Sequence, residues 1–208
     1  MAVEALDSGY PVTFVVDRPP RQSRITNFPL LIGTLIRLVL LIPHFVILYF
    51  FQIAGSITYF IATFAILFTG RYPEGLWRFY LGYLRWYHRA VGYLLHLYDN
   101  YPPFSPEPEA EYPLRLDAPY PPSSSRLLNL PFLAVLIKGI LLIPHLIVLS
   151  FLLLAELIVV FIALFAILFS GAFPDDMHRF VVGVNRWSAR VSAYLFGVTD
   201  KYPPFSLS

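Results

Sequence analysis

Two long segments of this chain share one pattern of residues. The pattern of residues 70–104 recurs at 171–205, where DNYPPF returns as DKYPPF, and the FAILFTG motif at 64–70 returns as FAILFSG at 165–171. The leading segments also match, with Tyr10-Pro11, Arg24 and Asn27-x-Pro29 corresponding to Tyr112-Pro113, Arg126 and Asn129-x-Pro131. Two copies of about 100 residues indicate a pseudo-symmetric pair rather than a solenoid, whose units are shorter and more numerous.

A long apolar block lies in each copy. Residues 28–69 contain one charged residue, Arg37, and residues 127–170 contain two, Lys138 and Glu156. Hydrophobic residues make up 57% and charged residues 13% of the chain, which is far from the composition of soluble domains. Because one bilayer crossing needs about 20 residues, each block predicts a crossing and an additional segment.

A Pro-His pair divides each apolar block. In the first repeat, Pro43-His44 is expected to bend the chain between a short helix at 29–42, near the headgroups, and a crossing at 45–69. The second repeat is expected to do the same, with a short helix at 131–143 and a crossing at 146–170. Arg37 and Lys138 are then expected to extend out of the hydrocarbon towards water.

A second helix is predicted after a Gly-x-x-Pro turn in each half, over residues 73–97 and 174–198. At 100° per residue its arginines fall in one stripe and its aromatic residues lie elsewhere around the axis. We predict that these helices bind lipid headgroups or a partner through Arg78, Arg85, Trp86, Arg89, Arg179, Arg186, Trp187 and Arg190. Placing the arginines at mid-depth would cost roughly 3 kcal/mol each, which favours a position at the membrane surface.

The positive-inside bias constrains the topology. One crossing and one surface helix per half would place the two arginine-rich helices on opposite sides of the membrane. We therefore favour an arrangement in which each half enters and leaves on the same face, by a re-entrant bend or by a return through the amphipathic helix. It would also bring together the segments 10–17 and 112–116, whose alternating pattern predicts short strands that pair across the pseudo-twofold axis.

These features predict a mainly α, integral membrane protein of two tandem pseudo-symmetric repeats. Each repeat has a short N-terminal strand, a kinked hydrophobic membrane segment and an amphipathic arginine-aromatic helix. The first repeat is assigned to residues 1–104 and the second to 112–208. Residues 105–111, rich in proline and acid, are expected to form an extended connector.

The repeated motifs are similar to those of a known family. The combination of FAILF-[ST]-G, a following proline, Arg-Trp-x-x-Arg and D-[KN]-YPPF resembles the prokaryotic membrane proteins grouped as domain of unknown function 4389. The resemblance covers both halves and implies an integral membrane protein with a duplicated layout. It implies no activity and no catalytic residues. In the second half Ser188 and Ala189 replace Tyr87 and His88.

Three residues are candidates for an intramembrane polar site. Glu156 lies in an apolar crossing and has Gly55 as its counterpart. It is either part of a proton or cation relay, with Gln52 or a Pro-His histidine as partner, or a protonated side chain that bonds to a neighbouring helix or lies near an interface. His44 and His145 follow a proline that frees a backbone carbonyl, and an imidazole filling that polar gap is favoured over a ligand or relay role. The histidines show no metal-binding spacing, so no metal and no cofactor are expected.

The absence of common catalytic motifs and the low net charge reduce the number of possible functional classes. The chain has no cysteine and no nucleophile elbow or phosphate-binding glycine loop, and its net charge is only +2. We therefore predict a non-enzymatic membrane scaffold or accessory subunit in a prokaryotic plasma membrane, where it is multi-pass. Its expected partners are anionic lipids and another membrane protein or a second copy, with no nucleic acid. The alternative is a small transporter or channel with a polar pathway near Glu156.

Overall fold

Four helices and two short strands are arranged in two matching sets. The computed structural model describes residues 9–29 and 32–208. The elements are β1 (Thr13–Val16), α1 (Ile32–Thr69), α2 (Glu74–Leu94), β2 (Leu114–Asp117), α3 (Ala134–Ser170) and α4 (Asp175–Leu195). The predicted mainly helical fold of two tandem repeats is confirmed. The start of the predicted first repeat, residues 1–8, and part of the predicted helix 29–42 lie outside the described residues.

The long helices α1 and α3 are each continuous through their internal prolines, Pro43 and Pro144. The prediction of a separate short helix before each crossing was therefore wrong. In α1 the buried residues include Gly33, His44, Gly55 and Ile66, each eleven positions after the last. Eleven residues make about three turns, so the buried stripe stays on one side along the whole helix. In α3 the same spacing links Ala134, His145, Glu156 and Ile167. Packing against one continuous surface thus favours helix on both sides of each proline, although proline removes one hydrogen bond.

Glycine ends each long helix as predicted. Gly171 adopts a left-handed conformation with φ 78° and its N–H donates to Ile167 O, and Gly70 has φ 70° with the same bond to Ile66 O. A residue with a Cβ is strained at such φ values, so glycine suits the turn. Pro73 and Pro174 then precede α2 and α4, where a missing N–H costs nothing.

The helix α2 lies between α1 and the two-stranded ribbon. On one side Phe79 and Trp86 pack against Phe51 of α1, with ring centroids 5.3 and 5.4 Å away. On the opposite side Arg85 bonds to β2 and His88 packs against Phe14 of β1. In the second repeat α4 is likewise placed between α3 and the ribbon. The molecule therefore has three layers, which we call the outer layer (α1 and α3), the middle layer (α2 and α4) and the ribbon (β1 and β2).

The two repeats exchange their leading segments. β1 pairs antiparallel with β2, with Thr13 opposite Asp117 and Val16 opposite Leu114, as the strand prediction required. The N–H of Gln22, ahead of α1, donates to Gly171 O at the end of α3, and the N–H of Ser124 donates to Gly70 O. Each long helix thus begins beside the end of the other, so α1 and α3 run antiparallel about a pseudo-twofold axis.

The outer layer presents one broad apolar surface. α1 and α3 are each long and apolar enough to cross a bilayer, and only 22% and 28% of their most apolar windows are buried within the protein. A core helix of a soluble protein would be mostly buried. Exposed apolar side chains extend from Ile32 to Phe68 on α1 and from Leu133 to Phe169 on α3. We call this surface the apolar face; because it points away from the ribbon, the molecule has one apolar and one polar side.

Candidate functional site

Arg37 lies inside the protein and not at the membrane surface. Its side chain is 0% exposed and its guanidinium donates to five oxygens, one of which is Thr26 O at 3.3 Å from Nε. Nη1 reaches the carbonyls of Tyr93 at 2.5 Å and Tyr98 at 2.7 Å, while Nη2 reaches Asn27 Oδ1 at 2.9 Å and Asp99 Oδ1 at 2.5 Å. The prediction that Arg37 extends out of the hydrocarbon was wrong, because the protein itself supplies its acceptors and its counter-ion.

Lys138 occupies the matching position in the second repeat. Its ammonium, also 0% exposed, donates to Asn129 Oδ1 at 2.8 Å and lies 3.2 Å from Asp200 Oδ1. The predicted extension of Lys138 into water was therefore also wrong. We call the two clusters the charge hubs: Arg37, Asn27 and Asp99 form the first, and Lys138, Asn129 and Asp200 form the second.

Each hub joins three distant parts of one repeat. Asp99 also accepts from Ser23 N–H at 2.6 Å and from Asn27 Nδ2 at 2.8 Å, so it fixes the segment before α1. The sequence carried a signal for the hubs, since the Asn-x-Pro and Asp-x-Tyr-Pro-Pro-Phe motifs recur together with the basic residue. That signal indicates which residues act together, but it does not show that they are buried, so the hubs were not among the predicted sites.

The two Pro-His histidines bind tryptophan. Trp86 Nε1 donates to His44 Nδ1 at 2.8 Å, and Trp187 Nε1 donates to His145 Nδ1 at the same distance. Phe104 of the first YPPF segment stacks on His44 with centroids 3.8 Å apart. The bond places the proton of each neutral imidazole on Nε2, which has no partner among the described residues. The imidazole thus serves as the acceptor for a buried indole, which is neither the predicted carbonyl-filling role nor a relay role.

The predicted arginine stripe faces the ribbon. Arg85 donates to Leu116 O at 3.0 Å and Asp117 Oδ1 at 2.7 Å, and Arg186 donates to Phe14 O at 3.0 Å. Arg89, which is 1% exposed, donates to the carbonyls of residues 105 and 107. These side chains bind extended backbone of the same chain, and the connector at 105–111 is docked there.

The other members of the predicted set divide in the same way. Arg190 is buried beside the ring of Tyr10, and Trp86 and Trp187 are buried against α1 and α3. Arg78 and Arg179 are exposed and pair with Glu74 and Asp176 within their own helices. Among the predicted binding residues, only Arg78 and Arg179 are therefore fully open to a ligand.

Glu156 is buried and bonded to a neighbouring helix. Asn185 Nδ2 of α4 donates to Glu156 Oε1 at 2.6 Å. In the first repeat the corresponding residues are Gly55 and Leu84, and a Cβ on Gly55 would lie 3.1 Å from the ring of Tyr80. His145 is three helical turns, or about 16 Å, away along α3. The structure thus brings neither His145 nor Gln52 to Glu156, since Gln52 bonds to Ser56.

Four exposed arginines lie at the two ends of the apolar face. Arg71 and Arg126 line one open surface cavity with Thr69, Gly70 and Ser123 at the end of α1. Arg24 and Arg21 are placed similarly at the end of α3, where Arg24 approaches Phe169 O and Arg21 precedes Gln22. We call these four the end arginines. No ion pair with an acid is formed by them within residues 9–29 and 32–208.

Apolar side chains lie next to each pair of end arginines. Ile25 and Leu127, which follow Arg24 and Arg126 directly, are 79% and 70% exposed. Arg24 and Arg126 occupy matching positions in the two repeats, but neither belongs to the predicted set of binding residues. The second position is not aligned, because Arg71 corresponds to Ala172 and Arg21 corresponds to Ser123. Each end nevertheless carries two guanidinium groups.

His88 gives a pH-dependent term to stability. Burial between the ribbon and Tyr87 lowers the pKa of His88 to about 3, and neither ring nitrogen has a partner in the part of the chain that the structure describes. Because the unfolded chain binds this proton near pH 6.5 and the folded chain does not, stability is full above that pH and is lost as the pH falls towards 3.

We expect the free energy of unfolding to fall below pH 6 by about 1.4 kcal/mol per pH unit for this proton. The His88→Leu variant should lose that part of the slope. Denaturant unfolding in mild detergent between pH 6.5 and 5 measures both slopes. Identical slopes in the parent and the variant would contradict the assignment.

Comparisons with known proteins identify the repeat unit. The family model described as "Domain of unknown function (DUF4389)" matches residues 32–105 and again residues 133–206, which together cover more than two thirds of the chain. A search of curated proteins and a search of solved structures found no match. Within residues 9–29 and 32–208 no group of three histidine, aspartate or glutamate side chains could hold a metal ion. The chain belongs to the DUF4389 family and contains two tandem copies of its domain.

Proposed function

We propose that this protein is a non-enzymatic membrane scaffold or accessory subunit that binds anionic lipid headgroups through the end arginines. The observation that carries the proposal is the position of Arg21, Arg24, Arg71 and Arg126, which are exposed at both ends of the apolar face and form no ion pair with an acid of the described residues. Guanidinium groups suit phosphate because they donate two parallel hydrogen bonds. Ile25 and Leu127 provide apolar contacts beside them.

The proposed partners are the anionic lipids of a prokaryotic plasma membrane, together with a second copy or another membrane protein. The polar side of the molecule suits such a protein partner, since Thr13, Asp17, Arg115 and Asp117 are displayed on or beside the ribbon. The pairing of Glu156 with Asn185 gives no specific support to the alternative of a transporter. In this proposal a structural role, and not lipid binding, is assigned to the arginines that face the ribbon, namely Arg85, Arg89, Arg186 and Arg190.

Lipid preference tests the proposal. We expect the reconstituted parent to prefer spin-labelled phosphatidylglycerol over spin-labelled phosphatidylcholine. Each basic residue near an anionic surface contributes about 1 kcal/mol, or about a fivefold change in association. Replacing Arg71 and Arg126 together by glutamine should therefore weaken the association of anionic lipid with that end of the molecule by roughly 25-fold, as measured by electron paramagnetic resonance of the lipid labels.

A matched control removes the same charge elsewhere. The double variant Arg78→Gln and Arg179→Gln also loses two positive charges, but these residues already pair with Glu74 and Asp176. Its lipid preference should remain close to that of the parent. If both double variants lost the same amount of lipid preference, the effect would come from net charge and not from the end arginines, and the proposal would fail. It would also be overturned if the parent showed no preference for anionic lipid.

A further inference from the structure

The length of the apolar face constrains its orientation in a bilayer. From Ile32 to Phe68 the exposed apolar side chains of α1 extend over about 54 Å at 1.5 Å per residue. The hydrocarbon of a bilayer is about 30 Å thick. To fit within it, α1 would need a tilt of about 55°, well beyond the usual range of roughly 0–40°. A crossing at smaller tilt would leave several turns of exposed apolar side chains outside the hydrocarbon.

The ribbon lies at the middle of the helices and not at their ends. Arg85, near the midpoint of α2, holds β2, and Phe51, near the midpoint of α1, packs against the same part of α2. If the helices stood upright, the ribbon would therefore lie at mid-depth. Its exposed charges would enter the hydrocarbon, with side chains 63% exposed for Asp117, 51% for Asp17 and 38% for Arg115. Such groups cost roughly 3 kcal/mol each at the bilayer centre.

We infer that the protein lies flat in one leaflet, with α1 and α3 parallel to the membrane plane and the pseudo-twofold axis along the membrane normal. The occupant of the apolar face is then the acyl region of a single leaflet, and the ribbon faces water. Interfacial helices enter about 5–10 Å below the headgroups, which suits a protein with one apolar side. The inference refines the proposed function, on which it rests for the choice of lipid over a second copy.

The end arginines are consistent with this orientation. Because α1 and α3 are antiparallel, an upright molecule would place Arg71 and Arg126 at one membrane face and Arg21 and Arg24 at the other. That arrangement opposes the positive-inside bias. A flat molecule places all four in the headgroup layer of the same leaflet. It also satisfies the expectation that both halves enter and leave on one side, without a re-entrant bend.

Depth measurements along α1 test the inference. The chain contains no cysteine, so single nitroxide labels can be attached in the variants Leu35→Cys, Phe50→Cys and Phe68→Cys. All three native side chains are more than half exposed on the apolar face. In phosphatidylglycerol-containing vesicles we expect the three labels to lie at the same depth within about 5 Å, none deeper than roughly 10 Å, as measured by collision with oxygen and with a water-soluble nickel chelate.

The other outcomes are equally distinct. A crossing helix would place the label at residue 50 about 15 Å deep and those at 35 and 68 near opposite surfaces, which would overturn the inference. A Thr13→Cys label on the ribbon should be open to the nickel chelate, and its protection would also overturn it. Labels shielded from both collision partners would mean that a second copy covers the apolar face, and this result would overturn the inference as well.

The depth profile and the lipid preference are measured separately. A flat profile without any anionic preference would reject the proposed headgroup binding and keep the orientation. A crossing profile with that preference would reject the orientation and keep the headgroup binding.

Discussion

Replacing Arg37 by methionine is expected to lower the free energy of unfolding by about 3 to 5 kcal/mol. The guanidinium donates to three backbone carbonyls, to Asn27 and to Asp99, and methionine fills a similar volume without donating any hydrogen bond. Asp99 would lose its counter-ion, and the carbonyls of Tyr93 and Tyr98 would lose donors. Denaturant unfolding in mild detergent, followed by tryptophan fluorescence, measures the change.

The second repeat supplies the matched control for this prediction. Lysine is the natural residue at the corresponding position 138, so Arg37→Lys keeps the positive charge and can retain the pairing with Asn27 and Asp99. We expect a smaller loss of about 1 to 2 kcal/mol, because bonds to the backbone carbonyls are lost. If methionine and lysine were equally tolerated, the first charge hub would contribute little to stability.

Replacing Trp86 by alanine is expected to cost about 3 to 5 kcal/mol, because the indole fills the space between α1 and α2. The ring packs against Phe51 and Phe104, and its N–H is the hydrogen-bond donor to His44. The same unfolding experiment measures the loss, with near-ultraviolet circular dichroism as the probe because a fluorophore is removed.

Phenylalanine at position 86 separates packing from hydrogen bonding. Trp86→Phe keeps most of the ring contacts but leaves His44 Nδ1 without a donor, so a loss of about 1 to 3 kcal/mol is expected. The corresponding variant Trp187→Phe should behave alike, since His145 accepts from Trp187 at the same distance. A phenylalanine variant as stable as the parent would show that the indole N–H is dispensable.

The architecture was accessible from the sequence because the duplication is explicit. The recurrence of residues 70–104 indicated two matching units, and the glycine turns at 70 and 171 indicated where the long helices end. Alternation in the leading segments predicted strands that pair between the units, and β1 and β2 do so. The glycine turns and the strands are predicted from short stretches of sequence. The pairing of the two strands is a distant contact, and it was predicted from the symmetry of the repeat.

The roles of the basic residues were not accessible in the same way. Asp99, the counter-ion of Arg37, lies 62 positions further along the chain, and no sequence periodicity links the two residues. The arginine stripe of α2 was interpreted as a surface that binds headgroups or a partner. The sequence predicted the strands of the ribbon, but it did not show that they pack against these arginines. A two-stranded ribbon has carbonyls that lack strand partners, and Arg85 and Arg186 donate to two of them at Leu116 and Phe14. The arginine stripe thus donates hydrogen bonds to backbone carbonyls of the same chain.

The exchange of leading segments has a consequence for synthesis on the ribosome. The hydroxyl of Tyr10 donates to Lys201 O, and β1 is bonded to Arg186 of α4, so Tyr10 and β1 find these partners only after the second repeat has emerged. Contacts so distant in the chain form late and slowly. A nascent chain halted after the first repeat would contain the apolar helix hairpin of α1 and α2 without the contacts that the second repeat supplies. The second repeat is therefore needed to complete the fold of the first.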